Sequence, residues 1–259
     1  MSGTGKAEAE SYKEIKTILI SQPKPERSPY YEIEQKYGVK IDWRQFIHVE
    51  GVEEKEFRKN RVYPNDFSAI LFTSKTSIDH FFRLCEEMRI KMSQETKYFC
   101  LSEAISNYLQ KFIVYRKRKV FTGKRKIEDL KPYLMKHRAK EKFFVPVSNL
   151  GAKSVLAFLE ENEFDWKEGM MHRTVCSDLS DLSDVTYDVL VFFSPLGINS
   201  LYENFPNFKQ NETRMAVYGN STKQSVIDHG LDANIMAPQP GITSMAMALE
   251  KYLKVSNKK

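Results

Sequence analysis

Long apolar runs are missing from this 259-residue chain: no stretch approaches the roughly 18 apolar residues that a membrane-spanning helix needs. No membrane partner is expected. Cysteine is scarce. The three present, Cys85, Cys100 and Cys176, are an odd number, and none has a second Cys or a His at metal-ligand spacing. A disulfide framework is therefore not expected, and the thiols read as small apolar filler in a reducing, cytoplasmic compartment. The five histidines (His48, His80, His137, His172 and His229) never fall three or four residues apart, so no helical metal site is expected. The Gly-x-Gly-x-x-Gly, His-Glu-x-x-His and Gly-x-Ser-x-Gly patterns are absent. That removes the common dinucleotide-binding, zinc-hydrolase and serine-hydrolase readings.

What is present suits a globular protein of two domains. Hydrophobic residues make up 41% and charged residues 29%, too apolar for a disordered chain. The formal net charge is +6, concentrated in "YRKRKVFTGKRK" (Tyr115 to Lys126) and "KHRAKEK" (Lys136 to Lys142). Such runs read as solvated faces, and the excess charge attracts anions. Tyr115 and Phe121 are too few to stack single-stranded nucleic acid, so no nucleic-acid partner is expected. The first residues, "MSGTGKAEAESYKE", have no apolar core; residues 1–14 read as a flexible tail and not as a secretory signal.

The pattern of "VLVFFSPLGINSLYENF" (Val189 to Phe205) occurs twice. A short apolar strand is followed by a serine and then by an apolar stripe at helical spacing. "AILFTSKTSIDHFF" (Ala69 to Phe82) repeats it, with Ser74 where the other has Ser194. Strand, turn and helix alternate through most of the chain, which predicts parallel sheets covered on both faces. "KFIVYR" is a further expected strand. Ser148 or Asn149 is expected to cap a helix over Leu150 to Glu161, and Asn220 or Ser221 one ending at His229. Val39 to Val52 and Met170 to Leu179 read as extended connectors. The fold class is α/β: two doubly wound parallel-sheet domains joined by a two-stranded linker. The first domain combines 15–43 with 173–259, the second is 53–165, and 44–52 and 166–172 are the linker strands.

In such sheets ligands bind beyond the carboxyl ends of the strands. Four turns lie there: "FTSKTS", "PVSN", "FFSPLG" and "YGNST". Capping accounts for their Ser, Thr and Asn individually. Facing one another across a hinge, they would line a cleft with N–H and hydroxyl donors suited to several carboxylates or phosphates. His172, in the second connector, is the one histidine placed to move a proton there.

These elements, in this order, resemble the uroporphyrinogen-III synthase family. The resemblance rests on "AILFTSKTSIDHF", "FFVPVSNLGAKSVLAFLEENEF", "MMHRTV", "VLVFFSPLGINSL" and "AVYGNSTKQSVIDHGLDANIMAPQPGITSMAMALEKYL", and covers about Ile15 to Leu253. It implies a cofactor-free, monomeric lyase. The enzyme would close hydroxymethylbilane, a linear tetrapyrrole with eight carboxylates, with loss of water and inversion of the last ring. It implies substrate binding by Thr73, Ser74, Ser194, Gly219 and Ser221, with Ser148 and Asn149 beside them, and catalytic roles for Thr222 and His172. The chain departs from the family where His172 replaces a frequent tyrosine, where Lys75 replaces a frequent proline, and where "CLSEA" lacks the glycine of "YGNST". The rival reading is a two-lobed module that binds a small molecule without chemistry. With only Trp43 and Trp166, it would have few indoles for stacking a sugar.

Overall fold

The computed structural model describes residues 12–257. The chain divides into two compact units, one running to His48 and resuming at Cys176, the other Val49–Val175. Of the tail expected over 1–14, residues 1–11 lie outside the described residues. Tyr12 packs on Tyr252 at 5.1 Å between ring centroids, and the Lys13 amide donates to the Tyr252 hydroxyl at 3.2 Å.

The first elements are β1 (Thr17–Ile20), α1 (Pro29–Tyr37), β2 (Lys40–Trp43), β3 (Ile47–Gly51) and α2 (Glu54–Arg58). Next come β4 (Ala69–Phe72), α3 (Lys75–Glu87), β5 (Lys97–Cys100), α4 (Glu103–Leu109), β6 (Val120–Thr122) and α5 (Ile127–His137). Then follow β7 (Phe143–Ser148), α6 (Lys153–Glu161), β8 (Trp166–Cys176), β9 (Val189–Phe192) and α7 (Pro195–Asn204). The last elements are β10 (Arg214–Tyr218), α8 (Asn220–Asp228), β11 (Ala233–Ala237) and α9 (Met245–Ser256).

In the first unit the sheet order is β11-β10-β9-β1-β2, with parallel pairing throughout. The strand "VLVF" can be apolar at every position, and "TILI" at every position after Thr17, because both faces are covered. On one face Tyr30 and Ile33 of α1 pack with Met245 and Leu249 of α9. On the other, Ile198 and Leu201 of α7 pack with Val226 of α8. Each of these large apolar side chains contributes roughly 1.5–3 kcal/mol by burial. The chain steps from β1 to β2 on one side and resumes at β9 on the other, so the order reverses between β1 and β9.

The second unit has the order β3-β8-β7-β4-β5-β6. Strands β4, β5 and β6 step one way and β7 starts the other, so the order reverses between β4 and β7. Helices α3 and α4 cover one face through Ile78, Phe81, Ile105 and Leu109. Helices α5 and α6 cover the other through Leu130, Leu134, Val155 and Leu159. Pairing between β4 and β7 is confined to Ala69–Phe143 and Ile70–Phe144. Beyond it β7 carries Pro146, which has no N–H to donate. Both units are doubly wound α/β sheets, as the alternation of elements predicts.

Several local expectations change. Val39 to Val52 is not one strand: β2 and β3 belong to different sheets and the chain breaks between them. At the break the Arg44 guanidinium donates to the Asp178 carbonyl at 2.7 Å and to the Asp181 carboxylate at 2.8 Å. Phe46 is buried edge-on against Phe192. "KFIVYR" forms no strand, and Val114 is 83% exposed. The strand comes later, as β6 inside the basic run, where Lys119 is buried by pairing with Glu95 at 2.6 Å. Neither Ser148 nor Asn149 caps α6. Its N-cap is Ala152, and the Ser148 hydroxyl oxygen accepts from the Leu150 amide within the preceding turn. The N-cap of α8 is Gly219, one residue before the expected Asn220.

Candidate active site

At the carboxyl edge of the first sheet, Ser21 follows β1 and Ser194 follows β9, the two strands between which the order reverses. Ser194 is the N-cap of α7, but its hydroxyl accepts no capping bond. Pro195 supplies the first helical residue, where a missing N–H costs nothing. Gly197 lets α7 sit close to the strand: a Cβ there would lie 2.9 Å from the Phe192 ring and 3.8 Å from the Ser21 hydroxyl. Beside it, β10 ends in Tyr218 and Gly219. Gly219 has φ 86° and ψ 153°, a conformation essentially reserved for glycine. This turn aims the chain into α8, with Ser221 exposed and Thr222 1% exposed. The Thr222 hydroxyl is buried and has no hydrogen-bond partner.

The second sheet presents the corresponding edge at β4 and β7. Thr73 is half-buried, and Ser74 caps α3 in a closed reciprocal box. The Ser77 amide donates to the Ser74 hydroxyl oxygen at 3.0 Å, and the Ser74 amide donates to the Ser77 hydroxyl oxygen at 3.2 Å. The Asn149 side chain acts as an extra strand residue: its amide donates to the Thr174 carbonyl at 3.0 Å and its oxygen accepts from the Thr174 amide at 2.9 Å. His172 lies on β8 in register with Ser148. The residue is 7% exposed, its ring stacks on His80 at 5.1 Å between centroids, and its Nδ1 is buried without a partner.

Burial, and then the neighbouring His80, depress the His172 pKa to about 4. His80 is itself lowered, first by burial and then by the charge of Arg83, whose Nε donates to His80 Nδ1 at 3.3 Å. Both rings are neutral at pH 7. His172 is placed to offer or accept a hydrogen bond, whereas an imidazolium is disfavoured there.

The helix starts differ in charge. The first turns of α3, α6, α7 and α8 contain no acidic residue, whereas α4 has Glu103 and α5 has Glu128 and Asp129. A helix start carries partial positive charge and free N–H groups, so those without an acid accept an external carboxylate more readily. The sequence reading misses Ser21, whose signal is the serine closing "ILIS". It also misses the half-exposed pair Phe193 and Tyr218, 6.1 Å apart at the ends of β9 and β10. Aromatic residues just past strand ends are the signal for that pair. Among the described residues no group of three or more His, Cys, Asp or Glu is placed to hold a metal ion.

The sequence model of the family described as uroporphyrinogen-III synthase HemD matches residues 35–247. The fold is similar to that of uroporphyrinogen-III synthetase from Helicobacter pylori, with TM-score 0.57 and 16% identity over 93% of this chain and 100% of that one. It is also similar to a mutant uroporphyrinogen III synthase from the extreme thermophile Thermus thermophilus, with TM-score 0.54 and 11% identity over 92% of this chain and 99% of that one. No curated protein matches the sequence.

Proposed function

The chain belongs to the uroporphyrinogen-III synthase family, and from that premise we propose which of its groups carry the reaction and how. The activity is that of a cyclising lyase of tetrapyrrole synthesis. Hydroxymethylbilane loses water from its terminal hydroxymethyl group. The resulting cation attacks within the last ring, that ring is inverted, and the macrocycle closes as uroporphyrinogen III. The family match over 35–247 carries this reading.

The uncatalysed chain closes to the uninverted isomer, so the work required is selection of a folded conformation. The carboxylates are held by backbone N–H groups and hydroxyls at Thr73, Ser74, Ser148 and Asn149 in one unit and at Ser194, Gly219 and Ser221 in the other. Helix starts without acids favour that assignment. Thr222 has a buried hydroxyl with no partner of its own, and it hydrogen-bonds the departing oxygen. His172 takes part as a neutral imidazole. The net charge of +6 draws the polyanion in. The enzyme works as a monomer in the cytoplasm and has no nucleic-acid partner; one species at the mass of a single chain in sedimentation checks the first point. Among the described residues no helix is long and apolar enough to cross a membrane.

The test mixes purified protein with enzymatically generated hydroxymethylbilane and separates the oxidised products. An excess of type III uroporphyrin supports the reading. Type I alone, at the spontaneous rate and from folded protein, overturns it in favour of a module that binds without chemistry.

A further inference from the structure

The basic run after Tyr115 contributes no residue to the substrate-binding turns, yet three of its residues, Arg116, Lys119 and Val120, line a cavity. In the second unit a cavity of about 340 Å³ lies at the amino-terminal end of β5 and β6, opposite the edge that carries Thr73 and Ser148. Its walls include Phe82, Cys85, Tyr98, Phe112, Ile113 and Val120. Phe82 and Phe112 stack at 4.8 Å. Burial pushes the Cys85 thiol up to about 12 and raises the Tyr98 phenol as well, so neither wall residue carries charge at pH 7. The volume falls within the range of small-molecule sites, as does the mix of apolar walls and few polar groups.

The polar groups point to one kind of ligand. Lys91, Arg116 and Lys119 line the cavity, and the lining contains no Asp or Glu. Lys119 is neutralised by Glu95 at 2.6 Å. The Arg116 guanidinium makes a long contact of 3.5 Å to the Gln94 side chain. Thr96 also lines the cavity, is 2% exposed, and its hydroxyl is buried without a hydrogen-bond partner. A buried hydroxyl left unpaired is costly, and an acceptor brought by a ligand would relieve it.

We propose that this cavity is a second binding site, separate from the substrate-binding turns, for a small monocarboxylate with an aromatic or branched apolar body. The apolar body lies between Phe82, Phe112 and Tyr98. The carboxylate accepts a hydrogen bond from the Thr96 hydroxyl and pairs with Arg116.

Met92 lines the same cavity and supplies the readout. The full chain is labelled with ¹³C-methyl methionine, and the Met92 signal is assigned from Met92→Leu. It is titrated with 4-phenylbutyrate and, separately, with the neutral 4-phenylbutyramide. The proposal expects a saturable shift of Met92 with the acid and at least 10-fold weaker binding of the amide. It expects about 10-fold weaker acid binding in Thr96→Val and in Arg116→Gln. Thr96→Val removes an unpaired buried hydroxyl and should fold at least as well as the parent, while Arg116→Gln changes a partly exposed side chain. A Met92 signal unmoved at millimolar acid overturns the proposal. So do equal affinities for acid and amide, or binding unaffected by both variants. None of these outcomes bears on the isomer assay, so the two readings fail separately.

Discussion

Ser74 and Ser194 hold the same place in the two units, each following a buried strand and standing at the N-cap position of the next helix, yet they differ in what their hydroxyls do. Ser74 is locked with Ser77 in a reciprocal capping box. Ser194 has no capping bond, and its helix begins with Pro195. The next turns diverge further. The first unit turns through Gly219 into a buried, unpartnered Thr222, while the second leads from Ser102 into Glu103. Two units that read alike in sequence thus present different groups at their strand ends. The first offers hydroxyls with unused bonding capacity, and the second mainly offers N–H groups at helix starts.

The largest expected effect lies on the first unit's side of that comparison. Thr222→Val should lower turnover by about 100- to 1,000-fold, the usual cost of losing one donor aimed at developing charge. Its melting temperature should hold or rise, because the lost hydroxyl has no partner in the free protein. Kinetics of type III formation beside a thermal melt check both halves. Unchanged turnover would remove the contrast between the two helix starts.

The pH dependence of stability tests the second unit. The folded pKa of His172, about 4, lies below the roughly 6.5 of a free imidazole, so between those values the unfolded chain binds the proton first. The stability associated with a neutral His172 is complete above pH 6.5 and is lost as pH falls toward 4, by about 3 kcal/mol at most. Denaturant unfolding across that window should show a steeper loss for the parent than for His172→Phe. Equal slopes would mean the ring is not held neutral by burial.

Gly219→Ala should destabilise by about 1–3 kcal/mol because of its backbone angles alone; the space beside it is open. Equilibrium unfolding that shows no loss would mean the turn relaxes. The smallest pair of effects sharpens the opening contrast. Ser74→Ala should cost about 1 kcal/mol of stability as a lost cap. Ser194→Ala should leave stability unchanged and slow the reaction by about 10-fold, as for a lost hydrogen bond to a charged group. Finding the two phenotypes exchanged would invert the assignment.

Much of the fold was legible because buried parallel strands announce themselves. "AILF" and "VLVF" are apolar at every position and "TILI" at all but Thr17, and each leads on to a helix. Where tertiary context decides, the reading failed. "KFIVYR" has strand composition but forms no strand, and β6 instead starts right after Lys119, which is buried with its ammonium held by the Glu95 carboxylate and the Gln94 carbonyl. Val39 to Val52 alternates on either side of "RQF", and only that lapse at Arg44, Gln45 and Phe46 marks where β2 ends before β3 begins. The candidate site was legible as residue types at strand ends. Which hydroxyls are available was not, since the box between Ser74 and Ser77 and the strand-like role of Asn149 depend on partners fixed by the folded structure. Ser21 was passed over because its neighbour, Ser194, lies far along the chain, and only the sheet order brings β1 beside β9.

The most direct test uses the double variant Ser194→Ala/Thr222→Val, confirmed as folded by near-ultraviolet circular dichroism, in the isomer assay with hydroxymethylbilane. If hydroxyls of the first unit hold and activate the substrate, the product shifts from type III to type I uroporphyrin. Type III formed at the parent rate would contradict the account.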